Sequence, residues 1–445
     1  MREDLVGGFG RTDITPEVGT LLMGYPVPDR KAEAIRDPLH ANALVLKQKD
    51  TAAVILSLTV SIIDDPEVES IRHGVEARTG IPAEHVTVCA IQTHSAPRTQ
   101  EVWGWCEKDS SYTEFMVERA VEAATKANDT LRPIRLGIGT THSDVGINRR
   151  SITEDHTVVL GANPWGIYDP EMTVLRLQGE CEPLATLIHY GAHPTVLDKT
   201  SRVVSRDWPG VMTDRVEALT GTPAMFINGA VGDVAPRSSI LRAVGDGEPA
   251  LMEVGYRAAM DALRAYRSVR DFAVRDLRVV TGEYLLPYRP LAALEEARRQ
   301  LTSAEKNKDE YGKGMCEYKH WQAVIQAHAN SPLPGKRYRQ VITSLGPAAI
   351  VPIPGEPFAE TVLRLRQYSP AQYTLCASTS CGGNGYFATR ESLHRGGYEV
   401  WVAKALGAYI LAENIDDVLV QENVKLVRQA YAQGNAKEVA APGKQ

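Results

Sequence analysis

At 445 residues the chain is long for one hydrophobic core, although large α/β enzymes reach this size as a single unit. Its 43% hydrophobic and 23% charged residues are ordinary for a soluble globular protein. The net charge of −6 gives no electrostatic reason to bind nucleic acid, so we expect no nucleic-acid partner.

The N-terminal segment has no basic region followed by an apolar run, and no stretch is apolar enough to cross a bilayer. We therefore expect a cytoplasmic protein without a signal peptide or an integral membrane segment. The six cysteines are scattered without any CxxC pair, which argues against a zinc ribbon or a redox centre. Reduced, mostly buried thiols are expected.

The first predicted elements are two strands and a helix. Apolar runs at residues 41–46 and 52–60, joined by a short polar stretch, predict a hairpin. Residues 66–79 have helical periodicity, and Gly80 ends that helix.

A buried strand at residues 86–91 leads directly into Gln92 and His94. Because side chains two positions apart on a strand share a side, both are expected to point the same way. The polar turn at residues 148–151 then places Arg149 beside Arg150. Anion binding and ordinary solvation both remain open for these arginines.

The central stretch has reactive side chains after each of its two strands. Residues 184–190 form the first predicted strand, which ends just before His193. Asp207 precedes a helix in the manner of an N-cap, and the second strand, residues 224–227, continues into the glycine-rich loop 229–233. Since strand ends in open α/β sheets face the ligand crevice, we expect the chemistry in these two loops.

The remaining elements alternate between helices and short strands. Helices are predicted at 249–268, 291–330, 399–412 and 418–431, and strands at 341–345, 349–353 and 373–377. The strand at 349–353 leads to Glu356, which stands between two prolines, and the strand at 373–377 leads to Tyr386.

These patterns predict an α/β fold of mixed α+β character, with multi-stranded sheets flanked by helices and an active site at the strand ends. We assign residues 1–432 to one catalytic domain, with a helical lobe at about 246–332 inside it. Residues 433–445 are predicted to be a disordered tail.

Four predicted strand ends carry His94, His193, Glu356 and Tyr386. Together they offer nitrogen and oxygen donors to a divalent metal, and zinc fits that ligand mix best. None of the four belongs to a local motif such as HExxH. Taken singly, each histidine is better explained as a buried structural residue than as a metal ligand.

Eight dispersed segments resemble the neutral (non-lysosomal) ceramidase family and occur in that family's order. The segments are GFGRTDITP (8–16), THSAP (93–97), NRRS (148–151), HPT (193–195), SRDWPG (205–210), NGAVGDVAP (228–236), PGEPF (354–358) and GYFATRESLHRGGYE (385–399). The resemblance spans nearly the whole chain and is to the family's catalytic domain, without the C-terminal β-sandwich extension of true ceramidases.

Members of this family are zinc amidohydrolases that cleave the N-acyl bond of ceramide. The resemblance implies zinc-ligand roles for His193, Glu356 and Tyr386. The family pattern for the fourth ligand is HTHSGP, with two histidines, whereas this chain has Gln92 at the first position and His94 at the second. Whether Gln92 or His94 holds the metal therefore stays open.

The resemblance also implies roles around the metal. Arg149 matches an arginine near the polar end of the substrate, and Tyr398 matches a tyrosine that steadies the scissile carbonyl oxygen. Asp207 matches an acidic residue for which an orienting role and a helix-capping role are equally open.

The glycine-rich loop is expected to border the substrate, so the predicted pocket comprises Gln92, Gly232, Asp233 and Ala235. Ala235 stands where the family has a serine proposed to act in catalysis. A serine nucleophile at that position is excluded, whereas metal-activated water needs no such side chain.

We therefore expect a zinc-dependent hydrolase of an amide, or of an ester or lactone, acting on a small-molecule or lipid-like amide. No exposed amphipathic segment marks a membrane-docking face, which favours a substrate smaller or more polar than ceramide. Two alternatives remain: a non-catalytic binding protein with a decayed metal site, and a phosphate-ester hydrolase that uses Arg149 and loop 229–233 as an anion cradle. The oligomeric state is not predicted.

Overall fold

The structure, a computed structural model, describes residues 4–102, 106–241, 247–274, 276–309 and 312–432. The tail predicted to be disordered, residues 433–445, lies outside the described residues.

Twenty strands are found in the described ranges. They are β1 Val6–Asp13, β2 Ala34–Ile35, β3 His40–Gln48, β4 Thr51–Leu58, β5 Val86–Ala90, β6 Arg132–His142, β7 Gly146–Ile152, β8 Val158–Asn163, β9 Glu171–Gly179, β10 Pro183–Tyr190, β11 Val203–Val204, β12 Ala224–Asn228, β13 Val234–Pro236, β14 Arg270–Phe272, β15 Leu277–Pro287, β16 Gly335–Leu345, β17 Ala348–Pro352, β18 Glu356–Pro357, β19 Tyr373–Ala377 and β20 Tyr386–Phe387.

Eleven α-helices accompany these strands in the same ranges. They are α1 Asp65–Thr79, α2 Ser110–Asp129, α3 Asp207–Thr220, α4 Arg237–Ile240, α5 Gly247–Arg267, α6 Leu294–Lys306, α7 Lys313–Ala327, α8 Ala359–Tyr368, α9 Arg390–Arg395, α10 Tyr398–Trp401 and α11 Ile415–Ala432.

The largest sheet has the strand order β12-β10-β9-β6-β1-β3-β4-β5, with β14 beside β6. Its outermost pairs, β4–β5 and β10–β12, are parallel, and the pairs between them are antiparallel. The two edges nevertheless approach each other. Ser57 Oγ donates to Phe226 O at 2.5 Å, and Asn228 Nδ2 donates to Ile91 O at 2.9 Å. The sheet therefore curls until the C-terminal ends of its parallel edge strands meet.

A second sheet, β15-β16-β17-β19, packs on one face of the first. Fully buried apolar side chains fill the space between them, including Leu44, Ile55 and Leu187 from the first sheet and Leu345 and Ile350 from the second. Helices α2, α3 and α5 contact the strands of the large sheet, and α11 contacts β15 and β16. Burying apolar area on both faces of each sheet is the main stabilising term for this layered arrangement. The predicted α/β, mixed α+β class is confirmed.

The described structure both confirms and corrects individual elements. Helix α1 ends as predicted at Gly80, whose φ of 70° lies in the left-handed region that glycine adopts most easily. The prediction of a helix at 399–412 is wrong beyond Leu406. Helix α10 continues into a 3₁₀ segment, Val402–Leu406, which ends at Gly407, a residue with φ of 136°.

The elements of the predicted helical lobe pack in two different places. Helix α5 contacts α3 and strands of the large sheet, and β15 belongs to the second sheet. Helices α6 and α7 contact each other, and α7 packs on the 3₁₀ segment Val402–Leu406. All six cysteines are free thiols. Within the described ranges, the chain contains no helix with the length and apolarity that a membrane crossing requires.

Helix α2 lies so close to β1 that a side chain between them has no room. A Cβ atom at Gly10 would lie 2.1 Å from Ala123 O, which is backbone. We expect Gly10→Ala to lower the free energy of unfolding by about 1–3 kcal/mol, because the helix must move away from the strand. Urea denaturation measures the change.

Gly74→Ala in α1 is the matched control. Its Cβ would meet Val121 Cγ2 at 2.6 Å, the end of a side chain that can rotate, and alanine favours a helix by about 1 kcal/mol over glycine. A stability loss at Gly74 as large as that at Gly10 would contradict the close approach as the cause.

Candidate active site

Loops after five strands meet where the large sheet curls upon itself. The segment after β19 joins its two edges: Ser378 N donates to Asn228 O at 2.8 Å, and Ala90 N donates to Thr379 O at 3.1 Å. These bonds bring together the loops after β5, β10, β12, β17 and β19. The four predicted metal ligands, His94, His193, Glu356 and Tyr386, lie on four of these loops.

The centre of the site is a contact between His193 and Glu356. His193 Nε2 lies 3.0 Å from Glu356 Oε2, and both side chains are buried. His193 Nδ1 lies 3.2 Å from Val234 O. Because a carbonyl oxygen can only accept, Nδ1 carries the hydrogen and a neutral ring has its lone pair on Nε2.

Burial dominates the electrostatics of this pair. It places the pKa of His193 well below its usual value, and Arg149 lowers that pKa further. Burial raises the pKa of Glu356 to about 7, although Arg149 opposes the shift. Within the described part of the chain, His193 Nε2, Glu356 Oε2 and His94 Nδ1 are all buried without a hydrogen-bond partner. Two electron-pair donors at this separation require a proton or a cation between them.

Short parallel pairing of β18 with β20 places Glu356 opposite Tyr386. Gly232 supports this pair from below: its N–H donates to Pro357 O at 3.0 Å, and a Cβ there would lie 2.6 Å from Glu356 O. Only glycine permits that approach.

Three predicted pocket residues lie in the glycine-rich loop or just after it: Gly232, Asp233 and Ala235. None of them lines either of the two cavities described below. Asp233 accepts from Ala359 N at 2.8 Å and from Asn148 Nδ2 at 3.0 Å, and burial raises its pKa to about 7. Ala235 is held in the antiparallel pairing of β13 with β7. Their backbone and carboxylate bonds explain why they face the protein interior.

Gln92 and His94 reach different partners. Gln92 has φ of 70°, which ends the strand alternation, and its Oε1 accepts from Ser61 Oγ at 3.2 Å. The Gln92 side chain also hydrogen-bonds to Glu356. The His94 ring meets that of His193 edge-on at 5.7 Å between centroids. Both side chains line the same cavity, but not through the strand alternation on which the prediction rested, since β5 ends at Ala90.

Glu399 is a site residue that the sequence analysis missed. Its buried carboxylate accepts from Arg149 Nε at 3.0 Å and from Arg150 Nη1 at 2.6 Å. The anion that these arginines hold is therefore supplied by the chain itself. Arg149 also donates through Nη2 to the Tyr386 hydroxyl at 3.1 Å. Two adjacent buried arginines need a carboxylate, and this requirement is the signal that could have identified Glu399.

Tyr398 lies beside Tyr386, with ring centroids 6.0 Å apart. The Arg149 guanidinium lies 5.8 Å from the centre of the Tyr398 ring and 5.5 Å from that of Tyr386. Burial raises the pKa of both hydroxyls, so both stay protonated. This places two O–H groups and one guanidinium at one side of the His193–Glu356 pair.

Asp207 acts on the loop that carries His193. Its carboxylate accepts from the N–H groups of Leu197, at 2.9 Å, and Trp208, at 2.7 Å, and burial raises its pKa to about 6. Asp207 is the first residue of α3, with φ of 55°, and Arg206 occupies the N-cap position, which corrects the predicted cap. Trp208 Nε1 in turn donates to His193 O at 3.1 Å.

Two cavities border the site. An inner cavity of about 70 Å³ is lined by Gln92, His94, Glu356 and Tyr398, and an outer cavity of about 660 Å³ opens beyond it. Four residues line both: Gln100, Tyr386, Ala403 and Leu406.

The described residues include no cluster of three or more His, Cys, Asp or Glu side chains close enough to hold a metal ion by themselves. In the predicted set, Glu356 contacts His193 and also hydrogen-bonds to the Tyr386 side chain. A complete zinc site would therefore also need donors of other types, for which Tyr386 and Gln92 are the candidates at this place.

Comparison with known proteins gives a consistent result. Residues 5–246 match the family described as neutral/alkaline non-lysosomal ceramidase, N-terminal. The crystal structure of neutral ceramidase from Pseudomonas aeruginosa is similar, with a TM-score of 0.75 and 17% identity over 100% of this chain and 77% of that chain. A structure titled ceramidase complexed with C2 has a TM-score of 0.74 and 17% identity, over 99% of this chain and 77% of that chain. No curated protein matches the sequence.

Glu399→Gln tests the role of the missed carboxylate. The substitution leaves Arg149 and Arg150 buried without a counter-charge, so we expect a loss of about 3–5 kcal/mol in the free energy of unfolding. Urea denaturation measures it.

Glu391→Gln is the same change at an exposed ion pair with Arg395, where we expect at most about 0.5 kcal/mol. Equal losses for the two variants would show that Glu399 carries no special share of the stability.

Proposed function

The chain belongs to the neutral/alkaline non-lysosomal ceramidase family, and from this premise we propose that it is a zinc-dependent hydrolase of amide bonds. The family and the shared fold support amide hydrolysis in general. We propose in addition that hydrolysis depends on zinc and that the substrate is smaller or more polar than ceramide. An ester or lactone substrate would use the same chemistry.

The observation that supports zinc is the pair of unpartnered donors at the centre of the site. Donor atoms about 2.0–2.2 Å from a tetrahedral zinc ion lie roughly 3.3–3.6 Å from each other, a little farther apart than this pair. His193 Nε2 and Glu356 Oε2 lie 3.0 Å apart and have no hydrogen-bond partner in the described structure. His193, Glu356 and Tyr386 would hold the ion, with His94 or Gln92 as the fourth donor.

When bound, a zinc ion supplies Lewis-acid chemistry, in which it polarises a carbonyl group and lowers the pKa of water. The chain's own residues supply the rest. The Val234 carbonyl fixes the His193 ring so that Nε2 faces the site. Tyr398 offers a phenolic O–H to a developing oxyanion, and Arg149 supplies positive charge beside it.

Ala235 has no hydroxyl, so a serine nucleophile at this position is excluded, whereas attack by water stays open. A direct attack by water forms no acyl-enzyme, in contrast to a serine route. The anion cradle of the phosphate-ester alternative loses support, because Arg149 is already paired with Glu399 and Gly232 N–H is bonded to Pro357 O.

One alternative keeps a specific observation in its favour. Gln92 occupies the place of a family histidine, and no three His, Cys, Asp or Glu side chains of the described residues form a cluster. A ceramidase-fold binding protein with a decayed metal site would have these features. Metal analysis of the purified protein separates the two, because the enzyme should hold near-stoichiometric zinc that a chelator removes together with amide hydrolysis.

His193→Ala should abolish zinc binding and hydrolysis while the protein still folds, because the ring supplies a donor atom at the centre of the site. Metal content by mass spectrometry and circular dichroism measure both effects. His142→Ala, an exposed histidine at the end of β6, should keep full metal. A folded His193→Ala protein with full metal content would remove His193 from the site.

His94→Ala should weaken zinc binding at least about tenfold more than Gln92→Ala, because imidazole is a far better zinc ligand than an amide. Competition with a chromogenic chelator gives both affinities. Gln92→His should tighten binding, since it adds a second imidazole next to Glu356. Equal losses, or a larger loss for Gln92→Ala, would assign the ligand role to Gln92.

A further inference from the structure

Arg30 is a fully buried arginine that, in the described part of the chain, forms no salt bridge. Its guanidinium donates instead to four backbone carbonyl oxygens: Met23 O at 2.9 Å, His94 O at 2.6 Å, Ser201 O at 2.9 Å and Asp198 O at 3.3 Å. It also lies 4.9 Å from the centre of the Tyr25 ring. Buried charges are normally paired with an opposite charge, as Arg149 is with Glu399. Carbonyl dipoles compensate the charge of Arg30, and the side chain joins several segments at once.

The four carbonyls belong to three segments that border the site. One is on the segment that carries Arg30 itself, residues 23–30, and another is the carbonyl of His94, on the loop after β5. The other two lie on the loop after β10, which also carries His193. Arg30 therefore ties together the loops of the two site histidines.

The His94 ring depends on such support from outside. A histidine that binds a metal usually has its second ring nitrogen held by a hydrogen bond, as Val234 O holds Nδ1 of His193. Nδ1 of His94 is buried without a partner among the described residues. The place of the ring therefore depends on its packing and on its backbone, whose N–H donates to Pro194 O at 3.3 Å and whose carbonyl accepts from Arg30.

The segment 23–30 also packs directly on the His94 ring. A Cβ atom at Gly24, whose φ is 103°, would lie 2.3 Å from Cγ of His94. The Tyr25 ring meets the His94 ring edge-on at 4.9 Å between centroids, and the Tyr25 hydroxyl donates to Leu197 O at 3.1 Å. A shift of this segment must therefore move the His94 ring or leave a void beside it.

We propose that Arg30 is a positioning residue, which fixes the His94 ring relative to His193 by holding segment 23–30 and the His94 carbonyl against the loop after β10. This inference rests on the proposed function, because it takes His94 as a donor for zinc. Arg30 contacts only the backbone of His94, so it affects the metal through the place of that ring.

Arg30→Lys tests this role. Lysine keeps the positive charge but presents one nitrogen where the guanidinium presents three, so it cannot reach the carbonyls of all three segments. We expect the affinity for zinc, measured by competition with a chromogenic chelator, to fall at least about tenfold. An unchanged affinity would overturn the proposal.

Arg72→Lys is the matched control. Arg72 is also a buried arginine that donates to a backbone carbonyl, Val86 O at 3.0 Å, but its bonds go to β5 and to Glu69 within α1. Its zinc affinity should stay unchanged. A loss as large as that of Arg30→Lys would show an effect of overall stability and would contradict a specific role of Arg30.

A double variant separates positioning from a general effect on the fold. If Arg30 acts through His94, Arg30→Lys should weaken zinc binding in the parent protein and should weaken it no further in His94→Ala. The same loss in both backgrounds would overturn the proposal.

A second pair of variants decides the question if Arg30→Lys does not fold. Gly24→Ala leaves Arg30 in place but puts a methyl group against the His94 ring, and we expect it to weaken zinc binding at least about tenfold. Gly19→Ala is its control, because Gly19 also has a positive φ, 98°, but its Cβ would meet nothing within 4 Å. Equal zinc affinities for these two variants would contradict the role of segment 23–30.

A measurement on the metal-free protein separates this inference from the proposed function. If the parent protein binds no zinc, the zinc proposal fails, but NMR of the histidine ring protons still reports the place of His94, whose signals are identified by their loss in His94→Ala. Because the neighbouring rings of Tyr25 and His193 shift these signals, Arg30→Lys should change them and Arg72→Lys should not. Unchanged His94 signals in Arg30→Lys would overturn the positioning role whether or not zinc binds.

Discussion

The structure depends on the closure of its large sheet. Strands β5 and β12 are at opposite ends of the strand order, yet the Asn228 side chain and the segment after β19 tie them together. Asn228 Nδ2 donates both to Ile91 O and to Ala192 O, and it lies fully buried, so these bonds replace those that water would otherwise make. Because the parallel strands of both sheets end at this seam, loops that are distant in sequence share one place. A site made of His193, Glu356 and Tyr386 is a consequence of that seam.

The meeting of these loops also buries two arginine side chains, and a buried carboxylate of the same chain balances part of their charge. Arg149 and Arg150 both bond to Glu399, which neutralises one of the two charges and fixes both side chains. The remaining positive charge lies beside Tyr386 and Tyr398. A preorganised cation next to the phenolic O–H of Tyr398 would favour an oxyanion over a neutral carbonyl, and it needs no rearrangement when charge develops. Removing Glu399 would therefore disturb both the stability of the site and its geometry.

Much of this arrangement could be predicted from the sequence, and the failures have physical causes. Short apolar runs identified the strands that precede Gln92, His193, Glu356 and Tyr386 in the chain, because burial on both faces of a sheet produces such runs. The partners of each residue could not be predicted, since they depend on tertiary contacts: Glu399 stands 250 positions from Arg149. The glycine-rich loop 229–233 was expected to line the pocket because it follows the end of a buried strand, but its Gly232 makes a close approach of a different kind. The approach is to the backbone of Glu356, which has the same sequence signal as an approach to a ligand.

The site differs from other places with unpartnered buried atoms, such as His189 Nδ1 and Thr186 Oγ1, in that two such atoms face each other: His193 Nε2 and Glu356 Oε2 lie 3.0 Å apart. A buried polar atom without a hydrogen bond costs about 1–3 kcal/mol, and two buried lone pairs that face each other also repel unless a proton or a cation lies between them. The Val234 carbonyl orients His193 so that the lone pair on Nε2 faces the Glu356 carboxylate. A ligand that binds only the folded state recovers this free energy on binding. Glutamine in place of the family histidine at position 92 removes one good metal donor from this centre, but it leaves the His193–Glu356 pair intact. We therefore expect Gln92 to weaken the binding of a cation and not to abolish it.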